Sequence, residues 1–244
     1  MDRMIYIAMT GAKQVMEQQT TTSHNLANLN TNGFRAQMDS FRAVPVQGAS
    51  LPTRAFVLDA TTGADYSQGV VQQTGNPLDI AVKGSGWIAM QAADGSEVYT
   101  RNGGLQVSDA GVLTGERGLA VAGDAGTITL PPDGRVSIAP DGTVSTIDPR
   151  GVSTAVGRIR LVNPPTSDLQ RGDDGLFRMK SGQAADADAA VTLATGSLEG
   201  SNVNAVEAMV GMITLARAFD LQMSLLKNAE NNEAKASQIL SMNS

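Results

Sequence analysis

The sequence predicts an α+β chain: long N- and C-terminal helices paired in one coiled-coil-like helical domain, with an inserted all-β domain and extended connectors. Three observations predict it. Apolar residues recur at helical spacing at both ends of the 244-residue chain. Short β-like runs separated by Asp-Gly turns fill the middle. Segments rich in Pro, Gly, Thr and Ala lie between these zones. The expected division is an N-terminal helical part at 1–36, a connector at 37–73, the β domain at 74–191, a returning connector at 192–200 and the C-terminal helix at 201–244.

In the first element, Ile5, Met9, Ala12, Met16 and Leu26 fall on a 3-4 spacing, with Gln19 and Ser23 filling the row. The opposite face carries Gln14, Gln18, Thr20, Thr21 and Thr22, polar but uncharged, where a solvated helix usually carries Glu and Lys. The helix runs into "NLANLNTNGFR", Asn25–Arg35, with Asn25, Asn28, Asn30 and Asn32 ahead of Gly33 and Phe34. Amides both donate and accept, so they can satisfy buried backbone without burying charge.

The β domain reads from "LDIAV", "GWIAMQ", "EVYTRN", "LQVS" and "GRIRLV". The intervening turns are Asp94-Gly95, Asp109 to Gly111, Asp124 to Gly126, Asp133-Gly134 and Asp141-Gly142. In the last element, Asn202 to Leu240 contains no Pro and Gly211 as its one Gly. Met209, Met212, Ala216, Phe219, Met223 and Leu226 form its row, widened by Val206, Val210 and Ile213. Such a helix reaches roughly 55 Å, with Ser201 or Asn202 as its N-cap. A lone helix pair is marginal in water, so the ends need company while the β domain can fold alone.

Eighteen basic against 24 acidic residues give a net charge of −6, which excludes the basic footprint of a nucleic-acid binder. No basic amphipathic helix is present for anionic lipid, and no window reads as apolar enough to span a bilayer, so no membrane insertion is expected. With no cysteine, neither a disulfide nor a thiolate metal site can form. The N-terminus lacks a signal-peptide apolar run, which fits either a cytoplasmic chain or one exported without a cleaved leader.

Chemistry has little to work with. The single histidine, His24, has no identifiable partner for acid–base catalysis. "GSGWIA" at 84–89 matches a dinucleotide fingerprint, but a strand–turn–strand follows where the fingerprint needs a helix. Asp186 and Asp188 offer too few oxygens for a calcium loop. The Met-rich row of the last helix reads as a packing seam rather than a promiscuous groove. No cofactor, metal or catalytic set is expected.

"NLANLNTNGFRAQ", Asn25 to Gln37, resembles the N-terminal signature of bacterial flagellar rod and hook proteins, N-L-A-N-x-x-T-x-G-[FY]-[KR]. "LEGSNVNAVEAMVGMITLARAFDLQMSLLKN", Leu198 to Asn228, resembles the family's C-terminal signature. "PLDIAVKGSGWIAMQ" and "YTRNGGLQVSDAGVLTGERGLAV" resemble its middle. Within the family the chain is most similar to the F-type proximal-rod members, on Phe41 to Phe56, Trp87 and "LEGSNVN". The distal-rod relatives usually carry a Phe-Phe type pair at Trp87-Ile88 and Thr at Gly200. One departure is Asp220, where the family usually has glutamate, which shortens the reach of any salt bridge there.

The resemblance implies a structural subunit of the flagellar basal-body proximal rod, the periplasmic drive shaft between motor and hook. It also implies export unfolded through the flagellar type III apparatus without a cleaved leader, helical assembly, and partnership with other copies and with proximal- and distal-rod proteins. The assembly interface is expected at Ile5, Met9, Met16, Leu26, Asn28, Gly33, Phe34, Asn202, Asn204, Val206, Met209, Met212, Ile213, Ala216, Phe219, Met223 and Leu226. The alternatives are a distal-rod or hook member of the family, or a β-domain ligand binder with helical oligomerisation tails.

Overall fold

The computed structural model describes residues 2–45, 55–132 and 134–242; some side chains within these ranges, that of Ile5 among them, fall outside the described set. The chain divides into two compact units, one made of residues 1–27, 37–65 and 204–244 and the other of 28–36 and 66–203.

The first unit contains helix α1, Asp2–Ala27, strands β1, Gln37–Pro45, and β2, Ala55–Ala64, and helix α2, Ala205–Met242. The two helices run antiparallel: Gly11 faces Gln222, Gly211 faces Thr22, and the Ser23 hydroxyl reaches the Met212 sulfur at 3.4 Å. Small side chains set this approach, with Ala8, Ala12 and Ala229 buried. A Cβ at Gly11 would stand 3.1 Å from the Gln222 side chain. The two strands pair antiparallel from Gln37 opposite Ala64 to Pro45 opposite Ala55, with a bulge between Ser40 and Phe41. Asn25 ties α1 to this hairpin in both directions: its amide donates to the Gln37 carbonyl and accepts the Gln37 N–H, each at 2.8 Å. Thr21 adds a 2.8 Å hydrogen bond to the Asp39 carboxylate.

In the second unit, β3, Val71–Gln73, and β4, Ile80–Lys83, pair with the late strands Ser197–Glu199 and Thr192–Thr195. Then β5, Trp87–Gln91, and β6, Glu97–Thr100, form an Asp-Gly hairpin inside a nine-stranded sheet. Trp87 to Met90 are all buried, because both faces of this central strand are covered. Ile80, Val82, Ile88, Val98, Leu113, Val121 and Leu193 make the core. A separate three-stranded sheet spans Arg135–Ile138, Thr143–Ile147 and Ser153–Arg158.

The fold class expected from the sequence is corrected on two counts. Among the described residues, strands hold 34% against 27% in helices, with one α-helix at each end of the chain. The chain therefore has a large β-rich middle between one N-terminal and one C-terminal helix, and the unit that holds the helices also holds strands β1 and β2. Nor are the segments between zones extended connectors. Residues 37–45 and 55–64 form a hairpin in the same unit as the helices, and 71–73 and 192–199 are ladder strands. The physical reason lies in local composition. Pro45 and Gly63 read as loop, while the β-favouring "FRAV" and "AFVLDATT" runs dominate once they pair. The bilayer estimate also changes: Ala205–Asn232 contains an 18-residue window of mean hydropathy 1.3, none of it buried, and is long and apolar enough to cross a membrane by length and composition.

Candidate assembly surfaces

Each helix presents two faces, and the row marked out by sequence spacing straddles them. On α2 the buried or half-buried side includes Ala208, Gly211, Met212, Leu215, Phe219, Leu226 and Ala229. Met209, Ala216 and Met223 from the same row are exposed. At 100° per residue the sequence row is rotated about 60° from the buried one. The exposed side carries an apolar stripe: Val206, Met209, Val210 and Ile213 are between 51 and 71% accessible. On α1 the pattern repeats. Ala8 and Ala12 are buried and Leu26 is half-buried, while Tyr6, Met9 and Met16 point outward. Exposed apolar side chains scattered singly are ordinary, whereas a contiguous stripe over consecutive turns marks an interaction surface.

Helix α2 is capped by Asn204, whose side-chain oxygen accepts from the N–H of Val206 at 3.0 Å and of Glu207 at 3.3 Å. The sequence placed this cap at Ser201 or Asn202. Ser201 instead accepts the Val203 N–H in a local turn, and Asn202 is engaged elsewhere.

Asn28, Gly33, Phe34 and Asn202 lie in the β unit, where their groups are used within the chain. Asn28 closes the turn to Thr31, accepting its N–H and its hydroxyl. Asn202 accepts the Ala36 N–H at 2.7 Å and donates to the carbonyl and hydroxyl of Ser67. Gly33 sits at φ +67° against the backbone of Arg101 and Asn102, and its N–H donates to the Glu199 carbonyl at 2.7 Å. A side chain at this position would collide with backbone, so glycine is required. Phe34 is buried, with the Arg171 guanidinium 4.6 Å above its ring. Arg171 also donates to the Arg35 carbonyl at 2.9 Å. Burial, and secondarily the charge of Arg117, lowers the Arg171 pKa. Residues 28–36 thus form a strap laid across the β unit.

Beneath the strap is a group that the sequence reading did not single out. The Glu199 carboxylate, fully buried, stands 2.7 Å from Arg35 Nη2 and 3.0 Å from Arg101 Nη1. It also accepts the Gly69 N–H at 2.9 Å. Arg101 donates to the carbonyls of Val82 and Gly84 and lies over the Trp87 ring. Desolvation lowers the Arg101 pKa, opposed by the Glu199 charge and reinforced by Arg35. Arg35 is 1% exposed, and its Nε and Nη1 have no hydrogen-bond partner among the described residues. The signal was present in the sequence: all three residues sit inside the quoted signatures, but nothing local pairs Arg35 with Glu199.

The residues weighed for chemistry are accounted for structurally. Gly84 and Gly86 both have positive φ and lead into strand β5, and a Cβ at Gly86 would meet Val191 at 2.7 Å. A strand, not a helix N-terminus, follows this loop where a pyrophosphate would need one. His24 is an exposed residue in the last turn of α1. Among the described residues no group of three or more His, Asp and Glu side chains is placed to hold a metal.

Comparison with known proteins agrees with this arrangement along the chain. Residues 5–35 match the family described as flagella basal body rod protein. Residues 81–146 match the flagellar hook protein FlgE/F/G D1 domain, and 194–239 match the flagellar basal body rod FlgEFG protein C-terminal. The flagellar basal-body rod protein FlgF of Escherichia coli K12 is 47% identical over 99% of this chain and all of its own length. The FlgF protein of Caulobacter vibrioides is 30% identical over 93% of the chain and 94% of its own. The flagellar basal-body rod protein FlgG of Buchnera aphidicola subsp. Schizaphis graminum is 28% identical over 96% and 98%. None of these relatives belongs to an enzyme family. With its terminal signatures and its β unit all matched, and a 47% identical relative aligned from end to end, the chain belongs to the flagellar basal-body rod protein family and is a structural component of the bacterial flagellum.

Proposed function

We propose that this chain, without enzymatic activity, forms the proximal part of the rod in the periplasm. There it transmits torque towards the hook after export through the flagellar type III apparatus without a cleaved leader. Its neighbours are other copies of itself and proximal- and distal-rod proteins, and it assembles helically through the outward faces of α1 and α2. The observation that carries this reading is the exposed apolar stripe Val206, Met209, Val210 and Ile213 on a helix whose opposite side is covered by α1. A water-exposed stripe of this kind gains by burial, about 25 cal/mol per Å² of apolar surface covered. End-to-end identity of 47% to the FlgF protein of Escherichia coli K12 supports a place in the basal-body rod.

Val210→Asp tests it. Val210 is 57% exposed, so the isolated subunit should keep its stability within about 0.5 kcal/mol. A buried, unpaired carboxylate in the assembled rod should abolish motility and remove the chain from purified basal bodies. Swimming cells with the variant incorporated would overturn the proposal. Lipid vesicles supply a second arm: binding of the isolated chain through the stripe would assign the same surface to a membrane instead.

A further inference from the structure

The strap and the C-terminal end of the β unit are held together by charge rather than by apolar packing alone. Two guanidiniums, Arg35 and Arg101, share one carboxylate, Glu199, and all three are at most 4% exposed. A buried charge without a counter-charge is expensive, and removing one partner of a buried pair is far more damaging than never having it. Arg101 has other support in two carbonyls and the Trp87 face. Among the described residues the Arg35 guanidinium has Glu199 as its charged partner, and its Nε and Nη1 make no hydrogen bond.

We propose that Glu199 is a late-arriving lock on the N-terminal strap: residues 28–36 cannot settle onto the β unit until the segment around Glu199, from the other end of the chain, is in place to neutralise Arg35. Neighbouring contacts act in the same direction. The Gly33 N–H needs the Glu199 carbonyl, the Ala36 N–H needs Asn202, and the Asn202 N–H needs the Phe34 carbonyl. Strands Thr192–Thr195 and Ser197–Glu199 close onto β4 and β3 from equally far along the chain. Because chains emerge N-terminus first, Arg35 waits for nearly the entire chain. The strap therefore stays open in any chain that ends before Glu199. This inference concerns folding of the isolated subunit and does not depend on the proposed place in the rod.

The test uses amide hydrogen exchange on the purified full chain. Strap protection is read at Gly33, Ala36 and Asn202, and core protection at Ala89 and Leu113. Glu199→Gln keeps the shape but leaves two buried cations unbalanced. It should lower strap protection by roughly a hundredfold or more while the core amides stay protected. Adding Arg35→Met removes the cation that needs the lock, so the double variant should regain strap protection to within about tenfold of the parent. A purely shape-filling role for Glu199 would show no such rescue. Unchanged strap protection in Glu199→Gln, or a double variant as open as the single one, overturns the proposal. If Glu199→Gln alone fails to fold, folding of the double variant upholds the lock, and failure of both overturns it.

Discussion

Replacing Gly33 by alanine should open the strap, and the structure allows the size of the effect to be worked out against an internal control. Gly33 and Gly75 have nearly the same backbone, φ +67° and +76°. A Cβ at Gly75 meets nothing within 4 Å, whereas at Gly33 it would fall 2.2 Å from the Asn102 nitrogen and 2.3 Å from the Arg101 carbonyl carbon. Both alanines carry the left-handed penalty of about 1–2 kcal/mol. At Gly33 the obstacle is backbone and cannot rotate away, so the strap must lift. That breaks the 2.7 Å hydrogen bond to Glu199, about 1 kcal/mol. It also exposes part of Phe34, up to about 2 kcal/mol. Gly33→Ala should therefore destabilise the β unit by about 2–5 kcal/mol and Gly75→Ala by about 1–2. Trp87, the chain's single tryptophan, is 4% exposed in that unit, so its fluorescence during urea unfolding reports on it directly. With a urea slope of roughly 2 kcal/mol per molar, the midpoints of the two variants should differ by roughly 0.5–1.5 M. Equal midpoints would mean that the strap is not seated on the Arg101–Asn102 backbone, and the account of the N-terminal signature would fail.

Phe219→Ala should weaken the helical unit by about 2 kcal/mol, less than the 3–5 typical of a fully buried Phe, because Phe219 is half-buried; circular dichroism should register the loss with Trp87 fluorescence unmoved. Burial pushes the Tyr99 hydroxyl from 10.0 up to about 12, only partly offset by the Ala185 N–H it accepts. The folded state therefore holds this proton longer than the unfolded one, and stability falls as pH rises from 10 to 12. Tyr99→Phe should remove that share of the decline, which urea midpoints across the range would reveal. Asp109→Ala, in an exposed turn, should leave both the urea midpoint and motility unchanged.

The parts of the fold that were legible in the sequence are those with a local signal. Two helices at the ends and Asp-Gly hairpins such as Trp87–Gln91 with Glu97–Thr100 follow from spacing and turn chemistry. The pairing of 37–45 with 55–64 did not, because Pro45 and Gly63 argue for loop while the pairing is a tertiary gain. The orientation of the helices was also hidden. A helix with apolar residues around much of its girth has no unique inward face by periodicity, and small residues such as Ala8, Ala12 and Gly211 decided it through close approach. Asn28, Gly33, Phe34 and Asn202 carried a family signature, but spacing cannot say whether such residues serve a neighbour or their own chain. The Arg35–Glu199 pair was the least legible, since its partners lie at opposite ends of the sequence.

The most direct measurement is a density map of basal bodies isolated from cells that make this chain, at a resolution that places side chains. The account predicts this chain within the rod, with Val206, Met209, Val210 and Ile213 of α2 packed against helices of adjacent rod subunits. A chain absent from the rod, or one present with that stripe facing solvent, would contradict it.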